Sequence, residues 1–209
     1  MRLHFSPYSS NSRRAVMTAI ALGRDLELVP VDLAKREQRQ PTFLQLNPCG
    51  RVPVLEDGDF VLTESHAIMQ YLADSTPEQT LYPTGLRSRA DVNRWLFWSA
   101  HHFQPSVSVL NWEHAVKPMI GAGPPDANEV ARGERLVIEN ARVLDQQLAG
   151  KSWVTQERLT LADLALAAPL QSMTTAKLPL ADFRHIQAWF ARVQELDAWK
   201  RSGRSLAAT

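Results

Sequence analysis

The chain has 209 residues, 44% of them apolar, with 23 lysines and arginines against 22 aspartates and glutamates. That length and apolar share supply a hydrophobic core for one large domain or two small ones, and the nearly cancelling charge leaves no footprint for nucleic acid or an anionic membrane. A single cysteine, Cys49, excludes an internal disulfide, a CxxC redox pair and a cysteine-rich zinc site, and no apolar run approaches the roughly 18 residues of a membrane span, so a cytoplasmic protein is expected.

Residues 2 to 5 read as a short strand. Ala15, Val16, Ala19 and Ile20 then recur on one face of a helix that ends at Gly23. The stretch LELVPVDL, 26 to 33, is strand-like, and Pro30, with no N–H to donate, places it at a sheet edge. A short helical segment over 41 to 46 comes next, then strands over 51 to 56 and 59 to 62 around an Asp57-Gly58 turn, a hairpin signal. Ala67, Ile68, Tyr71 and Leu72 make 64 to 74 helical, which completes the order βαβαββα. STPEQTLYPTG, 75 to 85, carries two prolines and a glycine and marks a linker.

Beyond the linker every pattern is helical. Val92, Trp95, Leu96, Ala100 and Phe103 form one apolar stripe, which Pro105 bends or interrupts. Val130, Val137, Ala141, Leu144 and Leu148 mark a second long helix ending at Gly150. Thr160-Leu161-Ala162-Asp163 is a capping-box pattern, and Ile186, Trp189, Phe190 and Val193 mark another helix. The expected architecture is α/β plus all-α: an α/β domain over 1–76, a linker over 77–86 and an all-helical domain over 87–209.

Ser9, Ser10, Asn11 and Ser12 put four good N-caps before a helix that needs one. A helix N-terminus offers unpaired N–H groups and about half a positive charge, so it stabilises an anion, and a hydroxyl there can donate to it as well. The same four residues read equally as cap and turn chemistry. No GxSxG elbow or His/Asp partner order supports a nucleophilic serine. In NPCGRVPVLEDGDFVLTES, 47 to 65, a cis Val52-Pro53 bond would turn Val52's backbone outward to pair with an extended peptide, whereas a trans bond is the commoner form. Glu64 and Ser65 open the next helix, either as a site for an amino and a carboxylate group or as plain capping. Cys49 has no adjacent base and reads as a buried or bystander thiol.

The βαβαββα order, the serine at the first helix, NPCGRVPVLEDGDFVLTES, the later all-helical domain and LTLADLALAAPL at 159 to 170 together resemble a cytosolic glutathione S-transferase over essentially the whole chain. SSNSRRAV is similar to the serine-type members (phi, theta and zeta-like), and the short N-terminus resembles bacterial ones. The resemblance implies a thioredoxin-like N-terminal domain that binds glutathione and a helical domain that carries the electrophile. It implies that Ser9 donates to the glutathione sulfur, with Ser10 and Asn11 as the neighbours that take this role in other classes, while Ser12 or Asn11 starts the helix. It places Gln38, Arg39 and Arg51 toward the peptide's carboxylate end, Val52 with cis Pro53 on the cysteinyl backbone, and Glu64 and Ser65 on the γ-glutamyl group. Ser9, Val52, Glu64 and Ser65 keep one offset against a phi-like pattern without gaps.

The implied activity is conjugation of glutathione, as co-substrate, to a small apolar electrophile by a homodimer, with no metal. Trp98, His102 and Trp112 are the candidate electrophile pocket; Trp95 and Phe103, on the stripe, read as core or dimer-contact residues, and His101-His102 has no third ligand at metal spacing. One alternative is a glutathione-dependent isomerase of the maleylacetoacetate type, against which Asn11 stands where that class carries a cysteine. Another is a non-catalytic glutathione-transferase-like binding protein, from which the glutathione contacts would be lost. A thiol-disulfide oxidoreductase is disfavoured, because no cysteine occupies the first helix's N-terminus.

Overall fold

In the computed structural model, which describes residues 1–155 and 157–203, alternation along the first segment sets the architecture. Arg2–Phe5 (β1) buries Leu3 and Phe5, and pairs in parallel with Glu27–Pro30 (β2) and antiparallel with Val54–Asp57 (β3). Phe60–Leu62 (β4) completes a sheet of order β2-β1-β3-β4, with the proline-bearing strand at an edge as its missing N–H requires. Asp57 pairs with Phe60, so the hairpin loop is Gly58-Asp59, one residue beyond the expected turn. Gly58 at φ 63° supplies the positive φ that a two-residue loop takes at its first position.

Leu3, Phe5 and Leu55 pack with Ala15, Val16 and Ala19 of Ser10–Ala21 (α1) and with Ile68 and Leu72 of Ser65–Asp74 (α3). A smaller cluster joins Val31, Val52 and Val54 to Phe43 of Pro41–Leu46 (α2). Strand register determines where the connecting loops meet. Phe5 lies beside Pro30, His4 beside Val54, and Leu55 beside Leu62. The loops after β1, β2 and β4 and the loop before β3 therefore all open at one end of the sheet.

The chain divides into two units, Met1–Tyr82 with the residues from Glu195, and Pro83–Gln194. In the second, the helical path runs through Leu86–Trp98 (α4), Gln104–Asn111 (α5) and Lys117–Met119 (α6), joined by π-helical turns at Ser99–Phe103 and Trp112–Val116. Pro105 does not break that path. It and Pro118 each follow a π turn by two residues, and the widened turn accommodates both the missing N–H and the ring that would press on the carbonyl four residues back.

Ala127–Leu148 (α7) is capped by Asp126, which accepts from the N–H groups of Asn128 and Glu129. Leu161–Ala167 (α8) opens on the expected capping box. Asp163 Oδ2 accepts from Thr160 N and Oγ1 at 2.9 and 3.0 Å, and Oδ1 accepts from Val154 N and Trp189 Nε1 of Arg184–Glu195 (α9), both at 2.9 Å. Burial pushes this carboxyl above its ordinary range against the pull of those four donors. The last helix among the described residues, Asp197–Arg201 (α10), belongs to the first unit and lies on α1.

Candidate active site

Four loops meet at the sheet end, and each carries sequence-predicted residues. Ser9 is the N-cap of α1, with extended backbone, and its Oγ accepts from Ser12 N at 3.2 Å. Helix initiation thus falls to Ser9 rather than to Asn11 or Ser12. Ser12 is fully buried, and its Oγ accepts from Ser6 N at 3.1 Å, which ties the β1–α1 loop. An N-cap hydroxyl uses a lone pair for the cap, so its proton stays available to a second partner. Ser10 and Asn11 are half-buried residues of the first turn.

No acid stands in the first turn of α1, where the helix dipole favours one; Arg13 and Arg14 lie just behind it, both buried. Arg14, 1% exposed, donates from Nη1 to Ser65 Oγ at 3.4 Å and to His66 Nε2 at 2.9 Å. Burial lowers its pKa to about 9, still above neutrality, so it is a cation inside the domain. The sequence reading missed this pair; the signal is two arginines at the end of a helix that prefers anions.

Glu64 occupies the N-cap position of α3 at φ 65°, a left-handed conformation that costs a non-glycine residue about 1–3 kcal/mol and clusters at functional sites. Its side chain makes no capping hydrogen bond, so the plain-capping reading does not describe it. Ser65, 5% exposed, begins the helix, and because its Oγ accepts from Arg14 its own proton can point to a ligand.

The Val52–Pro53 bond is cis, and Val52 lies just outside the ladder, which starts at Val54 beside His4. Asn47, a residue not singled out from sequence, shapes this loop: Nδ2 donates to Arg51 O at 2.7 Å and Oδ1 accepts from Cys49 N at 3.0 Å. Gln38 and Arg39 sit in a 3-10 turn, Glu37–Arg39, pressed against the same loop. Arg39 Nη1 donates to Cys49 O at 3.2 Å, and a Cβ on Gly50, at φ 58°, would meet Gln38 O at 2.8 Å. Arg39 and Arg51 are exposed, while Gln38 Oε1 is buried and has no hydrogen-bond partner among the described residues. Cys49 is exposed, which corrects the buried alternative.

The second unit holds the aromatic candidates. Trp98 is half-buried, its ring 5.0 Å from Trp95, 5.8 Å from Phe103 and 6.1 Å from His102. Trp95 and Phe103 are core residues, 2% and 0% exposed; His102 is exposed, and Trp112 opens the second π turn, 44% exposed. Among the described residues there is no cluster of three or more His, Cys, Asp or Glu side chains suited to a metal, and no helix is long and apolar enough to cross a membrane.

A four-stranded thioredoxin-like unit, with an acid-free helix N-terminus at its rim, joined in one chain to an all-helical unit defines a two-domain α/β plus all-α class. Comparison with known proteins narrows it. The description of the glutathione S-transferase N-terminal domain matches residues 2–74 and that of the C-terminal domain matches 103–197. The chain is 33% identical over 205 residues to glutathione S-transferase F10 of Arabidopsis thaliana, covering 94% of this chain and 93% of that one. It is 35% identical over 207 residues to glutathione S-transferase 3 of Zea mays, covering 97% and 92%. Among solved structures, glutathione transferase F7 of Populus trichocarpa superimposes with a TM-score of 0.87 at 27% identity over 96% of both chains. The chain belongs to the glutathione S-transferase family.

Proposed function

We propose that glutathione lies along the sheet-end rim with its sulfur on the Ser9 hydroxyl, and that the thiolate formed there attacks a small apolar electrophile. One observation carries this reading. The capping hydroxyl of Ser9 has its proton to spare at a helix start that lacks acids and is backed by two buried arginines, an arrangement that favours an anion and offers it a donor.

The same reading assigns the rest of the rim to the peptide group by group. Ser65 and the first turn of α3 take the γ-glutamyl carboxylate, Glu64 takes the amino group, and Val52 pairs with the cysteinyl backbone beside cis Pro53. Gln38, Arg39 and Arg51 take the glycine carboxylate. A free thiol with pKa about 8.5 is only a few per cent ionised at pH 7, and lowering it by one to two units costs about 1.4–2.8 kcal/mol. A charge-assisted hydrogen bond plus a helix N-terminus is of that size. The thiol proton leaves to solvent, sulfur bonds to the electrophilic carbon, and the leaving group departs with its electron pair.

Trp98, His102 and Trp112 are the proposed electrophile side, all in the helical unit Pro83–Gln194, with glutathione on the unit of Met1–Tyr82 to which α10 also belongs. We place the enzyme in the cytoplasm as a homodimer. Large apolar side chains left in solvent, Leu86 at 87% and Phe97 at 65% exposed, support a partner, and sedimentation that finds only monomers contradicts it. Calorimetry with glutathione tests the site itself: saturable binding is expected, and no detectable heat at millimolar ligand sinks the reading.

A further inference from the structure

Helix α10 has no place in the rim, yet it grips the helix that carries Ser9. Arg13 stacks on the Trp199 ring with 3.5 Å between guanidinium carbon and ring centroid. Its Nη2 donates to Trp199 O at 2.9 Å and its Nε to Ser202 Oγ at 3.2 Å, while Ser202 Oγ also donates to Trp199 O at 3.2 Å. Arg13 is 9% exposed and Ser202 3%. The same residue makes the first backbone bond of the catalytic turn, since Arg13 N donates to Ser9 O at 2.9 Å. The other side of that turn is closed by Ser9 N to Ser6 O at 3.0 Å and by Ser6 N to Ser12 Oγ at 3.1 Å.

From this geometry we propose that Trp199, aided by Ser202, is a positioning residue for thiolate formation. By clasping Arg13 it fixes the first turn of α1, holds Ser9 in its donating geometry and keeps a cation out of water behind the anion. The proposal rests on the reading of Ser9 as the sulfur's donor. A donor stabilises charge fully only when it is held in place before the charge forms, and a guanidinium released from an indole into solvent is screened and mobile. A general stabiliser of the fold would lower activity at every pH; a positioning residue acts on the thiol's ionisation and spares the rate where the thiol is ionised anyway.

The test titrates the ultraviolet thiolate absorbance of bound glutathione against pH, and measures kcat/KM for an activated aryl halide, in the full chain and in Trp199→Ala, Trp199→Phe and Ser202→Ala. Trp199→Ala is expected to raise the bound thiol's pKa by about half a unit to one unit, with a loss of roughly 3- to 10-fold in kcat/KM near neutrality that disappears at alkaline pH. Ser202→Ala shifts it the same way by less, and Trp199→Phe, which keeps an aromatic face for the cation, falls between wild type and alanine. An unchanged thiol pKa in Trp199→Ala, or a loss equal at all pH values, overturns the proposal. Should Trp199→Ala not fold, wild-type pKa values in both other variants overturn it. A wild-type chain that does not lower the thiol's pKa takes down the reading of Ser9 as well, whereas a lowered wild-type value that survives in every variant removes only the role of Trp199.

Discussion

Two hydroxyls in the rim share one arrangement: each accepts a hydrogen bond from the protein, which leaves its own proton for a further acceptor. Ser9 accepts from Ser12 N and Ser65 from Arg14. Ser65→Ala is expected to raise KM for glutathione about tenfold, the worth of a hydrogen bond to a charged group, with kcat nearly unchanged because the contact is made alike in ground and transition states. Steady-state kinetics with glutathione varied checks this, and an equal fall in kcat would contradict it. Gly50→Ala is expected to impair glutathione binding more than any other change in its loop. The added Cβ meets Gln38 O at 2.8 Å at a φ that disfavours side chains, and calorimetry reads the effect. Glu64 and Ser65 were legible as a helix start, whereas the cap of α1 was expected at Asn11 or Ser12 and falls on Ser9, because four good N-caps in a row do not show which one the helix takes. Arg14 and Asn47 were not legible, since their partners are Ser65 and His66 for the one and Cys49 and Arg51 for the other, and only folding or loop closure supplies those contacts.

Among the elements, α8 depends most on a single side chain. Asp163 satisfies two backbone amides, a hydroxyl and an indole, so Asp163→Ala strands buried donors and is expected to cost on the order of 3 kcal/mol in denaturant unfolding. A cost within experimental error would show that the network is dispensable. Glu113 gives a pH test. It is buried in the second π turn, and the Lys117 ammonium first, then Asp126 N–H, hold its carboxyl below the usual range. Its folded pKa lies below its unfolded one, so the unfolded chain takes up the proton first on acidification. The stabilisation is therefore present above the unfolded value, about 4.3, and is lost as pH falls through the folded value. Glu113→Gln should lower the denaturation midpoint at neutral pH and converge on wild type in acid; a difference independent of pH contradicts the assignment. Periodicity located these helices, and the Thr160–Asp163 box was visible as a local pattern. The π turns were not, because their cause is the fit of Pro105 and Pro118 into a continuous helix, which a breaker rule does not anticipate.

For the whole molecule, the strand order and its register do what no single motif does. They bring the loops after β1, β2 and β4 and the loop before β3 to one end of the sheet, so that Ser9, Gln38, Val52 and Glu64, far apart in sequence, share a rim. The order βαβαββα was readable from alternation, punctuation and Pro30; the one-residue shift of the hairpin was not, because pairing between strands sets it. With one exposed cysteine of its own, the chain performs thiol chemistry on a borrowed sulfur, so everything turns on ionisation of that sulfur. The most direct measurement is the pH dependence of kcat/KM for glutathione and an activated aryl halide in wild type, Ser9→Ala and Ser10→Ala. An acid-limb pKa one to two units below the free thiol's value of about 8.5 is expected in wild type and Ser10→Ala. In Ser9→Ala the limb returns toward the free value, with a loss of about 10- to 100-fold at neutral pH. A wild-type profile that persists in Ser9→Ala, or a loss found in Ser10→Ala instead, would contradict it.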